Sequence, residues 1–108
     1  MIGFYDGEDL ARAVNWYRKK HGLAPLGAVP ELAKIAQQHA ERMARLRRIF
    51  HSGHSGGEVV AAGFRSPSHC AEGWRLSRQH WRIIKAASRG GFGYAEGKNS
   101  LMYFVGCF

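Results

Sequence analysis

The chain has 108 residues, 45% of them hydrophobic and 12% aromatic, which fits one folded domain over residues 1–108 and excludes wholesale disorder. Its net charge of +8, from 16 Lys and Arg against 8 Asp and Glu, favours an anionic partner such as nucleic acid, a membrane face or a cell-wall polymer. No apolar run approaches the roughly 18–20 residues that cross a bilayer, and "MIGFYDGEDL" has neither a basic n-region nor an apolar h-region, so neither a transmembrane segment nor a signal peptide is expected.

The first helix is expected to begin near Asp6 or Asp9, since acids suit a helix N-terminus. Leu10, Ala13, Val14 and Tyr17 follow at helical spacing, and "HGLAPLG" stops the helix at Gly22. Pro30 opens a second helix, in which Leu32, Ile35, Ala36, His39, Met43 and Leu46 form one apolar stripe. Glycines at 53, 56 and 57 then break the pattern, and "EVVAAGF" reads as a short strand because Val59 and Val60 are β-branched. In "SPS", Ser66 is the expected cap and Pro67 the first residue of a third helix, whose apolar face is Cys70, Ala71 and Trp74. Ser77 is placed to cap a short further helix, "RQHWRIIK", with Trp81 and Ile84 turned inward. "GGFGYAEGKNSLMYFVGCF" reads as two strands around a turn at Gly97–Asn99. Helices mixed with strands and a terminal hairpin imply an α+β sandwich, an antiparallel sheet with helices packed on it.

Basic residues cluster at Arg45, Arg47 and Arg48, and spread along a later helical region as Arg75, Arg78, Arg82, Lys85 and Arg89. Solvated helix faces account for both runs, and the aromatics do not interleave with them as a stacking platform requires. Cys70 and Cys107 are the only cysteines. Without a CxxC spacing they do not suggest a thiolate zinc site, and they read either as a Cys70–Cys107 disulfide in an exported protein or as two buried thiols in a cytoplasmic one.

"HSGHSGGE", from His51 to Glu58, is the stretch richest in chemistry-bearing side chains. His54 lies three residues after His51 in a Gly/Ser loop, which suits either an extra ligand or an exposed ring. His39, on the apolar stripe, reads as a hydrogen-bonded core histidine, while His21 and His69 have no evident partner. Ser77 stands three residues before His80 but has no G-x-S-x-G elbow, and Cys70 lies on an apolar helix side, so neither reads as a nucleophile.

Four features occur in order: Asn15, Arg18 and His21-Gly22-Leu23; "LAKIAQQHAERMA" followed by Phe50-His51-Ser52; Gly57-Glu58 before a small apolar strand; and Trp74, Ser77 and His80 before the final hairpin. This series, which covers roughly Leu10 to Phe108, resembles the CAP superfamily (cysteine-rich secretory proteins, antigen 5 and pathogenesis-related 1; the SCP domain), and within it the short bacterial branch. The resemblance implies an α-β-α sandwich, with a small antiparallel sheet flanked by three to four helices. It also implies a cleft lined by two histidines and two acids, and a setting that is mostly secreted. By position the histidines are His51 and His80 and the first acid is Glu58; the second acid is replaced by Ser77, and the usual Asn after the glutamate by Val59.

Two histidines and a glutamate are a sufficient donor set for zinc, with a fourth place left for water, so His51, Glu58 and His80 are candidate ligands of a weakly held metal. The competing reading has Glu58 accepting hydrogen bonds from loop amides or a histidine and so fixing the fold. The expected function is a binding or effector module working through the cleft of His51, Glu58, Ser77 and His80 on an unidentified ligand. The alternatives are a metal-assisted hydrolase of peptide or cell-wall material, and a basic protein that binds an anionic partner such as nucleic acid.

Overall fold

A computed structural model describes residues 5–108; residues 1–4, where the stretch read for a leader begins, lie outside the described residues. The element order is α1 (Gly7–Lys20), β1 (Gly27–Ala28), α2 (Pro30–Leu46), β2 (Glu58–Ala62), α3 (Pro67–Leu76), α4 (Arg78–Ala86), β3 (Arg89–Glu96) and β4 (Met102–Cys107). The helix starts follow local signals. Asp6 caps α1, accepting from the Asp9 amide at 3.0 Å while the Asp9 carboxylate accepts from the Asp6 amide at 2.9 Å, a reciprocal capping box. Pro30 and Pro67 occupy the first turns of α2 and α3, where the missing N–H costs nothing, and the Ser66 hydroxyl accepts from the His69 amide at 3.1 Å.

The strands form one sheet in the order β1-β3-β4-β2. β2 and β3 both run antiparallel to β4, with Glu58 opposite Cys107 and Tyr94 opposite Phe104. The α+β expectation holds, and the sheet gains a short parallel edge, since Gly27 and Ala28 pair with Arg89 and Gly90. Past that edge Gln37 of α2 covers β3, donating from Nε2 to the Tyr94 carbonyl at 2.9 Å and accepting the Tyr94 amide at 3.0 Å. An edge strand that would otherwise present free amides is closed in this way.

Helices cover both faces. On one, α1, α3 and α4 pack against Val59, Ala61, Phe92, Tyr94 and Phe104 around Leu10, Val14, Cys70, Trp74, Trp81 and Ile84. On the other, α2 alone lies over Val60, Tyr103, Val105 and Cys107 through Ala36, Ala40, Met43 and Ala44. The close seat of α2 depends on Gly91 and Gly93, where a Cβ would run into the backbone of Ala33 and Gln37. Leu46, the last member of the expected stripe, is 50% exposed, because α2 ends there and the stripe runs off the sheet.

Packing decides the state of both cysteines and of one arginine. The cysteines are both free and buried, Cys70 in the core under α3 and Cys107 in the core under α2, so the Cys70–Cys107 disulfide reading gives way to two thiols on opposite faces of the sheet. Arg18, only 4% exposed, donates from Nε to the Ala24 carbonyl at 2.9 Å and from Nη1 to the Ile84 carbonyl at 2.6 Å. It thereby ties the end of α1 to the last turn of α4, where the helix dipole favours a cation. No helix among the described residues is long and apolar enough to cross a membrane.

Candidate functional site

Between α2 and β2 the chain is steered by a buried histidine. His39 is fully buried, donates from Nε2 to the Phe50 carbonyl at 2.5 Å, and accepts at Nδ1 from Arg42 at 3.3 Å. The Phe50 ring meets it edge-on, centroids 4.8 Å apart. The hydrogen-bonded core histidine read from the stripe is therefore observed, and its partner is the residue that immediately precedes His51.

Glu58 begins β2 and is only 7% exposed. Its Oε1 accepts from His51 Nδ1 at 2.8 Å and from the Ser52 amide at 2.9 Å, and its Oε2 accepts from the Ser52 hydroxyl and, weakly, from the Cys107 thiol at 3.7 Å. Burial alone would raise its pKa. The Ser52 hydroxyl and amide, the His51 ring and the nearby His39 outweigh burial, and the carboxyl sits below the usual glutamate range. An ionised carboxylate buried under converging donors is an anchor for the loop, as the competing reading held. Burial, and then the same carboxylate, push the Cys107 thiol up to about 12, so that group is a protonated donor and not a nucleophile.

The other half of the site comes from α4. His80 Nδ1 lies 2.7 Å from the Ser77 hydroxyl, and its ring stacks on Trp74 with an interplanar angle of 26°. Ser77 does occupy the N-cap position, but its side chain caps no amide and turns to His80 instead. Burial, and then the charge of the nearby His51, lower the His80 pKa, so the ring is neutral at neutral pH.

The fold thus gathers His51, Ser52 and Glu58 in one hydrogen-bonded unit and sets His80 with Ser77 close enough to sense His51. Two cavities of about 640 and 650 Å³ open beside α1, and neither is lined by any of these residues. The Glu58 unit lies instead at the β2 edge of the sheet, the far edge from β1, with the His51 side chain 68% exposed. Among the described residues no three His, Cys, Asp or Glu side chains are grouped to hold a metal. Both Glu58 oxygens already accept from protein donors, Oε1 from His51 and the Ser52 amide and Oε2 from the Ser52 hydroxyl and weakly from Cys107. What this chain offers a cation is the two imidazoles, each of whose Nδ1 is occupied and whose Nε2 has no protein partner among the described residues.

The remaining histidines lie apart from this unit or beside it. His54 is half-buried, its amide donating to the Ser52 hydroxyl at 3.0 Å and its Nε2 lying 3.1 Å from the Phe108 carbonyl. His21 Nδ1 reaches the Tyr17 carbonyl at 2.9 Å, and His69 is exposed on α3. Ser52 belongs to the ordered series in the sequence but carries no role there. Its signal was its place beside His51, and its role as a double donor to Glu58 became visible only once β2 turned that carboxylate inward.

A family model described as the cysteine-rich secretory protein family, CAP, matches residues 11–108. No curated protein sequence matches the chain. Among solved structures, the chain is similar to an outer surface protein from Borrelia burgdorferi, at a TM-score of 0.76 and 19% identity over 92% of this chain and 87% of that one. It is also similar to an extracellular protein containing an SCP domain from Bacillus anthracis, at a TM-score of 0.73 and 17% identity over 94% of this chain and 39% of that one. A cysteine-rich secretory protein from Staphylococcus aureus matches at a TM-score of 0.53 and 16% identity, over 91% of this chain and 36% of that one. This chain therefore spans less than half the length of the latter two, and at these identities the likeness is one of fold.

Proposed function

The chain belongs to the CAP family of cysteine-rich secretory proteins, and from that premise we propose that it is a binding or effector module whose working surface is formed by His51, Glu58, Ser77 and His80. One observation carries the reading: each imidazole is held at Nδ1, His51 by Glu58 at 2.8 Å and His80 by Ser77 at 2.7 Å, which orients both rings and leaves both Nε2 atoms for a ligand. At His51 the carboxylate on Nδ1–H raises the basicity of the opposite nitrogen and fixes the ring's direction, and at His80 the hydroxyl fixes the direction, the usual preparation of an imidazole for a hydrogen-bonding or cationic ligand. Two nitrogens are few for a tight zinc site, which takes at least three protein ligands, so a divalent metal at this surface is held weakly. The engaged carboxylate weighs against a metal-assisted hydrolase, which would need Glu58 free as ligand or base. Two of the similar folds are described as outer surface and extracellular proteins, and the proposal extends that setting to this chain.

Zn²⁺ is the probe that tests the site. Calorimetric titration of the unmodified chain is expected to show weak binding near one equivalent, absent from the His51→Ala/His80→Ala variant. Equal heats in both proteins, or none in either, would remove the two-imidazole surface as a cation site.

A further inference from the structure

The structure leaves the arginine cluster at the end of α2 unused by that site. α2 closes with Arg45 and Leu46, and Arg47, Arg48 and Ile49 follow. Leu46 is 50% exposed and Ile49 53%, and no other two exposed large hydrophobic residues among those described lie within a single turn of chain. Arg45, Arg47 and Arg48 are exposed, and no carboxylate lies within ion-pair distance of any of them among the described residues. Arg12, by contrast, is paired with Asp9 and Glu8 on α1. Glu41 and Glu96 share a shallow depression with Arg45, Arg47 and Lys98, so the cations outnumber the acids even there.

The backbone adds an independent observation. Arg47 stands at the C-cap of α2 in the left-handed conformation, φ 56° and ψ 44°, with its amide bonded to the Met43 carbonyl. That is the position at which glycine is the least strained residue. Ser100, in the turn before β4, is the other non-glycine residue described with a positive φ, and of the two only Arg47 is itself a cation, set between the exposed Leu46 and Ile49. Arg48 is also held, its guanidinium 5.0 Å from the Phe50 ring centroid.

We propose that this turn is a docking surface for an anionic lipid bilayer, with Leu46 and Ile49 entering the interface and Arg45, Arg47 and Arg48 meeting the headgroups. Adjacent aliphatic and cationic side chains are what an interfacial anchor needs. A duplex would reward the cations but would gain little from two aliphatic chains, and a single strand would also need aromatic stacking that this turn does not offer beyond Phe50. The net charge of +8 supplies long-range attraction to the same kind of surface. The surface adjoins the His51 half through Phe50 but shares no side chain with the His51–His80 site, so either proposal can fail alone.

The test is cosedimentation of the full chain with vesicles of phosphatidylcholine, with and without about 30% phosphatidylserine, at moderate salt. Binding is expected only to the anionic vesicles. Arg47→Gly is expected to weaken it about fivefold, by the loss of one interfacial cation, while leaving the fold as stable as before or more so. Leu46→Ser/Ile49→Ser, which keeps every charge, is expected to weaken vesicle binding at least tenfold and to leave duplex DNA binding unchanged. Arg78→Gln/Arg82→Gln/Lys85→Gln, which removes three exposed cations from α4, is expected to have the smaller effect. The proposal is overturned if the chain does not bind anionic vesicles, if the α4 variant weakens binding as much as Arg45→Gln/Arg47→Gly/Arg48→Gln, or if the serine variant binds like the unmodified chain. DNA binding that depends on these arginines while the serine variant keeps its vesicle affinity would assign the surface to nucleic acid.

Discussion

The two halves of the candidate site are built on different terms. The His51 half is held from behind: His39 fixes the Phe50 carbonyl, and a buried carboxylate collects the His51 ring and both donors of Ser52. The His80 half rests on one hydroxyl contact at the start of a 9-residue helix and on the face of Trp74. The difference shows in protonation. Polar donors hold Glu58 below the glutamate range despite burial, whereas burial, unanswered by any opposite charge, makes His80 the weaker base. One half is therefore a charged anchor whose imidazole is oriented by an ion, and the other is a neutral ring oriented by packing.

Removing the anchor gives the largest expected effect. Glu58→Ala leaves the Ser52 amide and hydroxyl and the His51 ring without their acceptor in a residue that is 7% exposed. Hydrogen bonds to a buried charged acceptor are worth about 1.5–3 kcal/mol each and do not add, so a loss near 3 kcal/mol is expected in chemical denaturation. If the loss is no larger than for Ser77→Ala, the two halves are held alike. A gentler break is His39→Leu, which keeps the core filled but leaves the Phe50 carbonyl unpaired. It is expected to cost about 1.5 kcal/mol and to speed amide exchange at Ser52, while Zn²⁺-free spectra of the His80 ring stay unchanged.

Much of the frame was legible because its signals are local. Pro30, Ser66-Pro67 and the spacing of Ala36, His39 and Met43 mark helices by chemistry that acts within a turn or two. β1 has no such signal: Gly27 and Ala28 are extended because the Gly27 amide meets the Ser88 carbonyl and the Val29 amide the Gly90 carbonyl, contacts some 60 residues away by the register of β3. The site divides in the same way. His51, Glu58 and His80 were picked out by their order along the chain, but the direction of Glu58 depends on β2 pairing Glu58 with Cys107 and Val60 with Val105, which turns the carboxylate toward the face under α2. The same alternation puts Cys107 under α2, the inner face of α3 buries Cys70 on the other side of the sheet, and Arg18 is drawn in by the Ala24 and Ile84 carbonyls, none of which has a mark in composition.

The smallest expected effect is also the one that separates the halves most cleanly, because each loses its contribution in its own pH window. A group whose pKa is lower in the folded than in the unfolded chain makes stability rise with pH, since the unfolded chain binds more protons between the two values. For His80 the unfolded value is near 6.5, so its contribution is complete above that pH and declines as pH falls from there through its lowered folded value. For Glu58 the unfolded value is near 4.5, so its contribution is present above that and is lost only as pH falls further, through the lowered folded value. Stability measured by urea denaturation across the acid range should therefore fall in two separate steps. His80→Gln is expected to erase the upper step and leave the lower one, and Glu58→Gln to shrink the lower step, to which Asp9 also contributes, while leaving the upper one, at a lower overall stability. A single step that both variants remove together would mean that the two side chains titrate as one coupled unit, and that the anchor and the packed ring are not independent supports of the site.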